Sequence, residues 1–323
     1  MNSCSHLSDH TAPIFILGCG RSGTTLLRLM LNSHSRIGIP GETWYFTDLH
    51  ADRAAIASWP SVAWRDRLTQ RIAESSVFPQ LGVSRESLRK QLESLTRDEW
   101  PSVVASANLA FACTEHKARW GDKTPGYVRS LPVIKELFPD AKILHVIRDG
   151  RDVVLSFLEQ WFGPSGILEG ADYWRTDVER GRRDGPRIFG ASYHEIRYER
   201  LVAEPEHVLR EICNAIGETY EPAMLKYHES AHRYVIDEQR WHEQTKSAPT
   251  RDRIERWRHQ MSRNDQALFE LAAGQLLRDL GYPLTNTRTL NAYANWARDR
   301  AASSWRAAVL RTKITAHRML YRT

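Results

Sequence analysis

The sequence has few of the features that mark membrane-spanning, secreted or metal-binding proteins. Its 323 residues contain no apolar run close to the ~20 residues that a membrane helix needs. The polar start over 1–11 lacks the apolar stretch of a signal peptide. The 4 cysteines are scattered without a C-x-x-C pair, which favours reduced thiols over disulfides or zinc ligands. We therefore expect a cytoplasmic globular protein without a bound metal.

The basic character of the chain is confined to its C-terminal end. The formal net charge is +6, and residues 286–323 hold eight Lys or Arg and one Asp, a net charge of +7. The rest of the chain is therefore at −1, which does not indicate a nucleic-acid partner. Residues 291–321 contain no Pro or Gly and predict a basic amphipathic helix. Such a helix can pack on its own domain, mediate self-association or make a peripheral contact with an anionic membrane.

The segment 13–27 predicts a strand, a glycine-rich loop and a helix. Ile14–Leu17 is apolar without alternation, as in a parallel strand covered on both faces. A strand, a glycine loop and a helix start place backbone N–H groups at one point, which is an anion site. Gly18–Gly23 has the spacing of a Walker A loop, but Thr24–Thr25 stand where Lys and Ser or Thr belong. The cation is at Arg21 instead, which argues against an ordinary NTPase.

A second strand, turn and helix are predicted over 142–157, which reads KILHVIRDGRDVVLSF. Arg148 follows the apolar strand and can offer a charge-assisted fork to a phosphate. Ser156 lies eight residues later and can add a hydroxyl from the helix. An ion pair with Asp149 or Asp152 is the alternative use of Arg148. The presence of two such motifs in one chain favours phosphate.

The alternation of strands and helices predicts an α/β fold, a P-loop-like doubly wound parallel sheet flanked by helices. We expect a disordered start over 1–12, one domain over 13–285 and a helical basic extension over 286–323. Further predictions within the domain are a mostly helical stretch over 43–118, a loop-rich stretch with helical pieces over 161–190, a strand over 194–198 and a helix over 205–216.

The loop Arg21–Thr25, with sequence RSGTT, resembles the 5′-phosphosulfate loop of sulfotransferases that use 3′-phosphoadenosine 5′-phosphosulfate (PAPS). The form with Arg resembles the tyrosylprotein, Golgi carbohydrate and many bacterial branches. In that family an Arg at a strand end and a Ser eight residues on hold the 3′-phosphate, and Arg148 and Ser156 match this pair. The resemblance implies that PAPS is the co-substrate, that no metal is needed, and that the loop contacts come from Arg21, Ser22, Gly23, Thr24 and Thr25.

Two weaker matches extend the resemblance over roughly residues 13–283. Tyr198 in YERLVAEP matches a cofactor-contacting Tyr of the tyrosylprotein branch. Arg251 begins RDRIERW, which resembles the basic loop before a Trp that closes over the nucleotide. Which basic residues of 246–256 do so is left open.

The resemblance also implies catalytic residues. Glu42 lies 21 residues after Arg21, the interval at which the tyrosylprotein branch has its catalytic Glu, and is the candidate base. Lys123 in WGDKTP resembles the family's Lys near the transferred group, and Arg21 is the second catalytic cation. The cytosolic branch carries a catalytic His after Lys-Thr, but Pro125 stands there in this chain. His116 is a rival candidate for the base.

These residues predict in-line transfer of a sulfuryl group from PAPS to an acceptor hydroxyl of a carbohydrate, glycolipid, small molecule or tyrosine. One alternative is a degenerate P-loop kinase or NTPase, which a magnesium requirement would favour. The other is a docking protein led by its basic tail, with an inactive nucleotide domain. The predicted partner is a hydroxyl-bearing acceptor and not nucleic acid, and the predicted location is cytoplasmic, peripheral at a membrane if the tail docks there.

Overall fold

The computed structural model describes residues 12–160, 163–230 and 251–285. Its strands are β1 Ile14–Gly18, β2 Ile37–Gly38, β3 Arg119–Lys123, β4 Lys142–Ile147 and β5 Tyr193–Arg197. Its α-helices are α1 Thr24–Asn32, α2 Phe46–Ala51, α3 Arg53–Ala57, α4 Trp64–Ala73, α5 Arg85–Glu93, α6 Trp100–Val104, α7 Ser106–Thr114, α8 Leu131–Leu137, α9 Gly150–Leu158, α10 Ile167–Phe189, α11 Tyr198–Ala203, α12 Pro205–Ile216, α13 Tyr227–Ser230, α14 Trp257–Gln260 and α15 Arg263–Asp279. The helical tail predicted for 286–323, and the start predicted for 1–12 apart from Ala12, lie outside the described residues.

The strands form one parallel sheet in the order β2-β3-β1-β4-β5, which confirms the predicted doubly wound α/β fold. β1 lies between β3 and β4, and all five of its residues are buried. Ile16 of β1 is paired with Lys123 of β3, the last residue of that strand. Because the strands are parallel, the loop after β1 and the end of β3 lie at the same edge of the sheet, where ligands bind in this class of fold.

The described chain folds into two compact units, the first within Met1–Ile147 and Arg180–Thr250 and the second within Arg148–Glu179 and Arg251–Thr323. In the first unit the aromatic core lies on β1, where Phe15 packs against Phe46, Trp120 and Phe138 with ring centroids 5.5 to 6.3 Å apart. α1 is buried along almost its whole length, including its polar residues Arg28 and Asn32. The single domain predicted for 13–285 stays a prediction.

The second unit is organised around a buried arginine. The Arg151 guanidinium donates to Asp149 at 2.7 Å, to Glu270 at 3.2 Å and to the carbonyl of Pro283 at 2.9 Å. It also stacks on the Trp257 ring, with its carbon 3.5 Å from the ring centroid. Fully satisfied partners make burial of this charge tolerable, and they tie α9 to α14 and α15.

Two expectations from the sequence are wrong. The loop-rich stretch predicted over 161–190 is largely the 23-residue helix α10, despite its glycines and Pro186. Cys113 is disulfide-bonded, so the four cysteines are not all reduced thiols, although Cys19 and Cys213 are free. Because disulfides persist mainly in oxidising compartments, cysteine usage does not support a cytoplasmic location. In the ranges that the structure describes, no helix combines the length and the hydropathy needed to cross a bilayer.

Candidate active site

The loop between β1 and α1 has the backbone of an anion site. Arg21 has φ 67° and Gly23 has φ 96°, and Gly23 caps the start of α1. Left-handed residues in such a loop turn successive N–H groups toward one concavity. The Ser22 hydroxyl is buried and has no hydrogen-bond partner in the described structure. An unsatisfied buried donor of this kind fits a bound oxyanion, since a buried polar group without a partner is costly.

Tyr198 lies directly on this loop. It is the first residue of α11, is buried, and follows the end of β5. A Cβ atom added to Gly23 would lie 2.3 Å from Cδ2 of the Tyr198 ring. Only glycine leaves room for the ring here, so the structure brings Tyr198 to the loop as its predicted role requires.

Glu42 and Lys123 form an ion pair beside the same loop. Lys123 Nζ donates to Glu42 Oε1 at 2.7 Å and to Thr25 Oγ1 at 3.3 Å. The Lys123 side chain is buried, whereas Glu42 keeps a quarter of its side chain exposed. Burial lowers the pKa of Lys123, and the positive charge of Arg28 lowers it further against the opposing effect of Glu42. Two predicted catalytic residues and one predicted cofactor contact therefore meet at one point.

The backbone that leads to Glu42 is held in place by contacts with α1 and with Gln80. The Asn32 side chain pairs with both backbone groups of Ile39, at 2.7 and 2.8 Å. Gly41 passes so close to the Gln80 carbonyl that an added Cβ would lie 2.3 Å from its oxygen. A carboxylate on a segment held in this way can be positioned for proton transfer, whereas a carboxylate on a free surface turn cannot.

A buried polar network joins the residues next to Glu42 and Lys123. The Thr43 hydroxyl hydrogen-bonds to Asp122 Oδ2 at 2.9 Å and to Tyr127 OH at 2.8 Å. The Thr43 N–H donates to Thr124 Oγ1 at 3.0 Å, and the Asn108 amide donates to Asp122 Oδ2 at 3.2 Å. Burial raises the pKa of Asp122 to about 6, against these hydrogen bonds. The network locks the Glu42 segment to the end of β3.

Trp44 completes the surroundings of Glu42. Its indole N–H donates to Glu42 Oε2 at 2.7 Å. Its backbone is left-handed with φ 56°, which is rare for a bulky residue, and 44% of the residue is exposed. Each carboxylate oxygen of Glu42 therefore accepts one hydrogen bond, Oε1 from Lys123 and Oε2 from Trp44.

The second phosphate motif lies in the second unit. Arg148 and Ser156 are both buried, the first just before α9 and the second within it. The Arg148 guanidinium donates to the carbonyl of Arg253 at 2.5 Å and lies 3.9 Å from Asp152. The Arg148 carbonyl accepts a hydrogen bond from the Trp174 indole at 3.0 Å.

The segment after Arg251 is docked onto α9. Asp152 accepts hydrogen bonds from the N–H groups of Glu255 at 2.8 Å and Trp257 at 3.0 Å. Burial raises the pKa of Asp152 to about 6. Arg251 itself is exposed at the start of the 3-10 helix Arg251–Arg253. The Trp predicted to close over the nucleotide is therefore anchored, whereas Arg251 stands at the surface; the part of 246–256 before Arg251 lies outside the described residues.

Sequence reasoning did not find the network around Asp122 or the hydrogen bond from Trp44 to Glu42. The sequence offered one signal for this network, since Thr43 follows Glu42 and Asp122 precedes Lys123 directly in the chain. His116, the rival base, is exposed in the turn before β3, at the opposite end of that strand from Lys123. No group of three or more His, Cys, Asp or Glu side chains that could hold a metal occurs within 12–160, 163–230 and 251–285.

Comparison with known proteins identifies the family. A model described as the sulfotransferase family matches residues 13–222, which include the glycine loop, Glu42, Lys123, Arg148 and Tyr198. The chain belongs to the sulfotransferase family. The prediction of a sulfotransferase is thereby confirmed, and the degenerate kinase or NTPase receives no support.

Individual sulfotransferases are similar to this chain over most of its length. A protein-tyrosine sulfotransferase of Drosophila melanogaster is 28% identical over 67% of this chain and 40% of its own length. A putative protein-tyrosine sulfotransferase of Caenorhabditis briggsae is 25% identical over 69% of this chain and 71% of its own. The matched region thus spans between two fifths and about seven tenths of these relatives. The solved sulfotransferase domain from the curacin biosynthetic pathway shares the fold, with a TM-score of 0.58 and 18% identity over 86% of this chain and 100% of that domain.

Proposed function

We propose that this sulfotransferase moves the sulfuryl group of PAPS to the hydroxyl of an acceptor, with Glu42 as the general base. The observation that carries the proposal is the contact of Glu42 with Lys123, and of Lys123 with Thr25, beside a loop built for an anion. PAPS supplies an activated sulfuryl group whose departure leaves adenosine 3′,5′-bisphosphate.

The glycine loop would hold the 5′-phosphosulfate. Backbone N–H groups, the Ser22 hydroxyl and the hydroxyls of Thr24 and Thr25 are donors of the kind that recognise sulfate and phosphate oxygens. Arg21 adds a permanent charge within the loop. The unsatisfied Ser22 hydroxyl is the observation that fits the bound group. Tyr198, packed on Gly23, would border the same ligand.

The 3′-phosphate would be held in the second unit by Arg148 and Ser156. Arg148 can form a charge-assisted hydrogen bond to phosphate that is about twice as strong as a neutral one. Asp152 keeps the following segment in place by accepting two backbone hydrogen bonds. Arg251 is proposed as a surface contribution to the same end of the nucleotide.

Glu42 would accept the proton of the acceptor hydroxyl as its oxygen attacks the sulfur atom. The sulfur–oxygen bond to the phosphate breaks on the opposite side, and the negative charge passes to the departing phosphate oxygen. Lys123 and Arg21 stabilise that charge, since fixed cations contribute most where charge develops. Lys123 also keeps Glu42 oriented through its hydrogen bond until the acceptor arrives.

Nucleotide-dependent stabilisation tests the proposal. Adenosine 3′,5′-bisphosphate should raise the melting temperature without magnesium, and ATP should do so much less. Mass action gives about 2.7 kcal/mol at a ligand concentration of 100 times its dissociation constant. Stabilisation by ATP that equals it and needs magnesium would overturn the proposal in favour of an NTPase. The same assay with EDTA present checks the prediction that no metal is required.

The identity of the acceptor and the cellular location are further proposals, each with its own test. The curated relatives are protein-tyrosine sulfotransferases, which makes a phenolic hydroxyl one acceptor to test. A cytoplasmic location, with the basic tail at a membrane or in self-association, is tested by fractionation and by comparing the full chain with a truncation at residue 285. Co-sedimentation of only the full chain with anionic vesicles would support membrane contact.

A further inference from the structure

The geometry points to Trp44 as the platform that selects acceptors whose reacting hydroxyl sits on a ring with an apolar face, either a phenol or a pyranose. This inference rests on the proposed function, because it treats Glu42 as the base. It assigns a binding role to a residue outside both phosphate motifs. The observations behind it are the position of Trp44, the contacts that anchor its ring and its left-handed backbone.

Trp44 is exposed and yet anchored at both ends of its indole. The pyrrole N–H is held by Glu42 Oε2 at 2.7 Å. The benzo edge lies on Gly126, where an added Cβ would be 2.5 Å from Cη2 and Cζ3 of the ring. The Tyr127 ring lies beyond it, with centroids 6.5 Å apart. With both ends of the ring held, little side-chain entropy is left to lose when a ligand binds.

The backbone of Trp44 is held in an unfavourable conformation by the residues around it. A bulky residue at φ 56° is strained, and such strain persists only when the surroundings determine it. Here the preceding residue, Thr43, is tied by Asp122, Thr124 and Tyr127. The position of the indole beside Glu42 is therefore fixed by the residues around it.

The exposed indole favours acceptors that carry a ring with an apolar face. An indole face attracts aromatic rings and the C–H face of a sugar by offset stacking and apolar contact. The hydroxyl on the edge of such a ring would then lie beside Glu42, whose two oxygens already accept from Trp44 and Lys123 and retain further lone pairs. An open-chain alcohol offers the same hydroxyl but no face to stack.

The test compares ring and open-chain acceptors through a ratio. Transfer from PAPS to 2-naphthol, methyl β-glucoside and 1-hexanol is measured as kcat/KM in the wild type and in variants. Any effect of Trp44 on the orientation of Glu42 acts on all three acceptors and cancels in the ratio of ring to open chain. Trp44→Asn removes the platform with a residue that tolerates left-handed backbone, and Trp44→Phe keeps a flat face without the N–H.

We expect the wild type to have a higher kcat/KM for one of the two ring acceptors than for 1-hexanol. Whether that acceptor is 2-naphthol or methyl β-glucoside tells a phenol from a sugar. Trp44→Asn should lower that preference roughly two- to twelvefold, the range of one aromatic contact, whereas Trp44→Phe should largely keep it. Gly126→Ala, which displaces the indole without removing it, should lower the preference too. Val62→Ala, an exposed apolar control between α3 and α4, should leave the ratio unchanged.

Two results would overturn the inference while leaving the proposed function in place. One is an unchanged ratio in Trp44→Asn, which would make Trp44 a residue that only orients Glu42. The other is a wild type that is stabilised by adenosine 3′,5′-bisphosphate but shows no preference for either ring acceptor. A wild type that neither binds this nucleotide nor transfers to any of the three acceptors would remove both the inference and the proposed function.

Discussion

Replacing Asp122 with Asn should remove a pH dependence from the stability of the protein. Asp122 is fully buried, and burial raises its pKa from 3.8 to about 6 in spite of hydrogen bonds from Thr43 and Asn108. The folded chain therefore keeps this proton to a higher pH than the unfolded chain. The stability associated with the protonated carboxyl is fully present below about pH 4 and is lost as pH rises through about 6. A shift of two units corresponds to about 3 kcal/mol.

The measurement is the free energy of unfolding in urea at several pH values between 4 and 7.5. Wild type should lose about 3 kcal/mol more than Asp122→Asn across this range. Any constant effect of the Asn side chain shifts the whole curve and does not enter the difference. Asp152 also has a pKa raised to about 6 by burial, so Asp152→Asn is a matched control with a pH dependence of its own. Parallel curves for wild type and Asp122→Asn would refute the reasoning.

The remaining predictions concern the loop, the base and the second motif. Glu42→Gln should lower turnover about 10²–10⁴-fold while adenosine 3′,5′-bisphosphate still binds; the exposed control Glu93→Gln should be silent, and normal turnover in Glu42→Gln would place the base elsewhere. Arg148→Ala should weaken binding of the same nucleotide about tenfold or more in calorimetry, whereas the surface variant Arg175→Ala should not; equal affinities would remove the assigned phosphate contact. The free energy of unfolding of Trp44→Gly should exceed that of Trp44→Ala by about 1 kcal/mol, because glycine adopts φ 56° without strain; equal free energies of unfolding in urea would contradict this.

Where apolar residues form continuous runs, the sequence predicted the fold well. The strands β1 and β4 and the helix α12 lie where such runs or a 3.6-residue period predicted them. β3 was not predicted, since its sequence RWGDK has no apolar run. It forms because its backbone pairs with β1 and β2, and its polar end carries Asp122 and Lys123 into the site. The polar residues of β3 therefore concealed it from a reading based on apolar runs.

The helix α10 was missed for a different reason. Gly181 and Gly185 lie in its second half, and glycine ordinarily weakens a helix. A Cβ added to Gly181 would lie 2.3 Å from the His145 ring, and one added to Gly185 would lie 2.2 Å from the Tyr193 ring. Close approach of β4 and β5 therefore requires glycine at both positions. Tertiary contact outweighs local propensity here, and no window of the sequence contains that information.

For the candidate site, spacing and resemblance predicted residues but not their connections. The interval from Arg21 to Glu42 and the WGDKTP sequence singled out two side chains that lie 2.7 Å apart in the structure. Nothing in the spacing relates Asn108, Asp122 and Thr43, because the chain returns to that point from three separate elements. Such a network becomes visible only when the sheet brings the ends of its strands together.

Several unfavourable local choices in the first unit lie in the loop after β1, beside Glu42 and at the end of β3. Arg21 and Trp44 hold left-handed backbone, Lys123 is buried with a lowered pKa, and Asp122 is buried with a raised one. Each of these features costs stability, and apolar residues could fill buried positions without that cost. A charge that must be present before the reacting group arrives cannot be replaced in this way, since its use in catalysis depends on its being fixed in advance. The costs at Trp44, Lys123 and Asp122 lie beside the Glu42 carboxylate, which agrees with the proposal that Glu42 is the base.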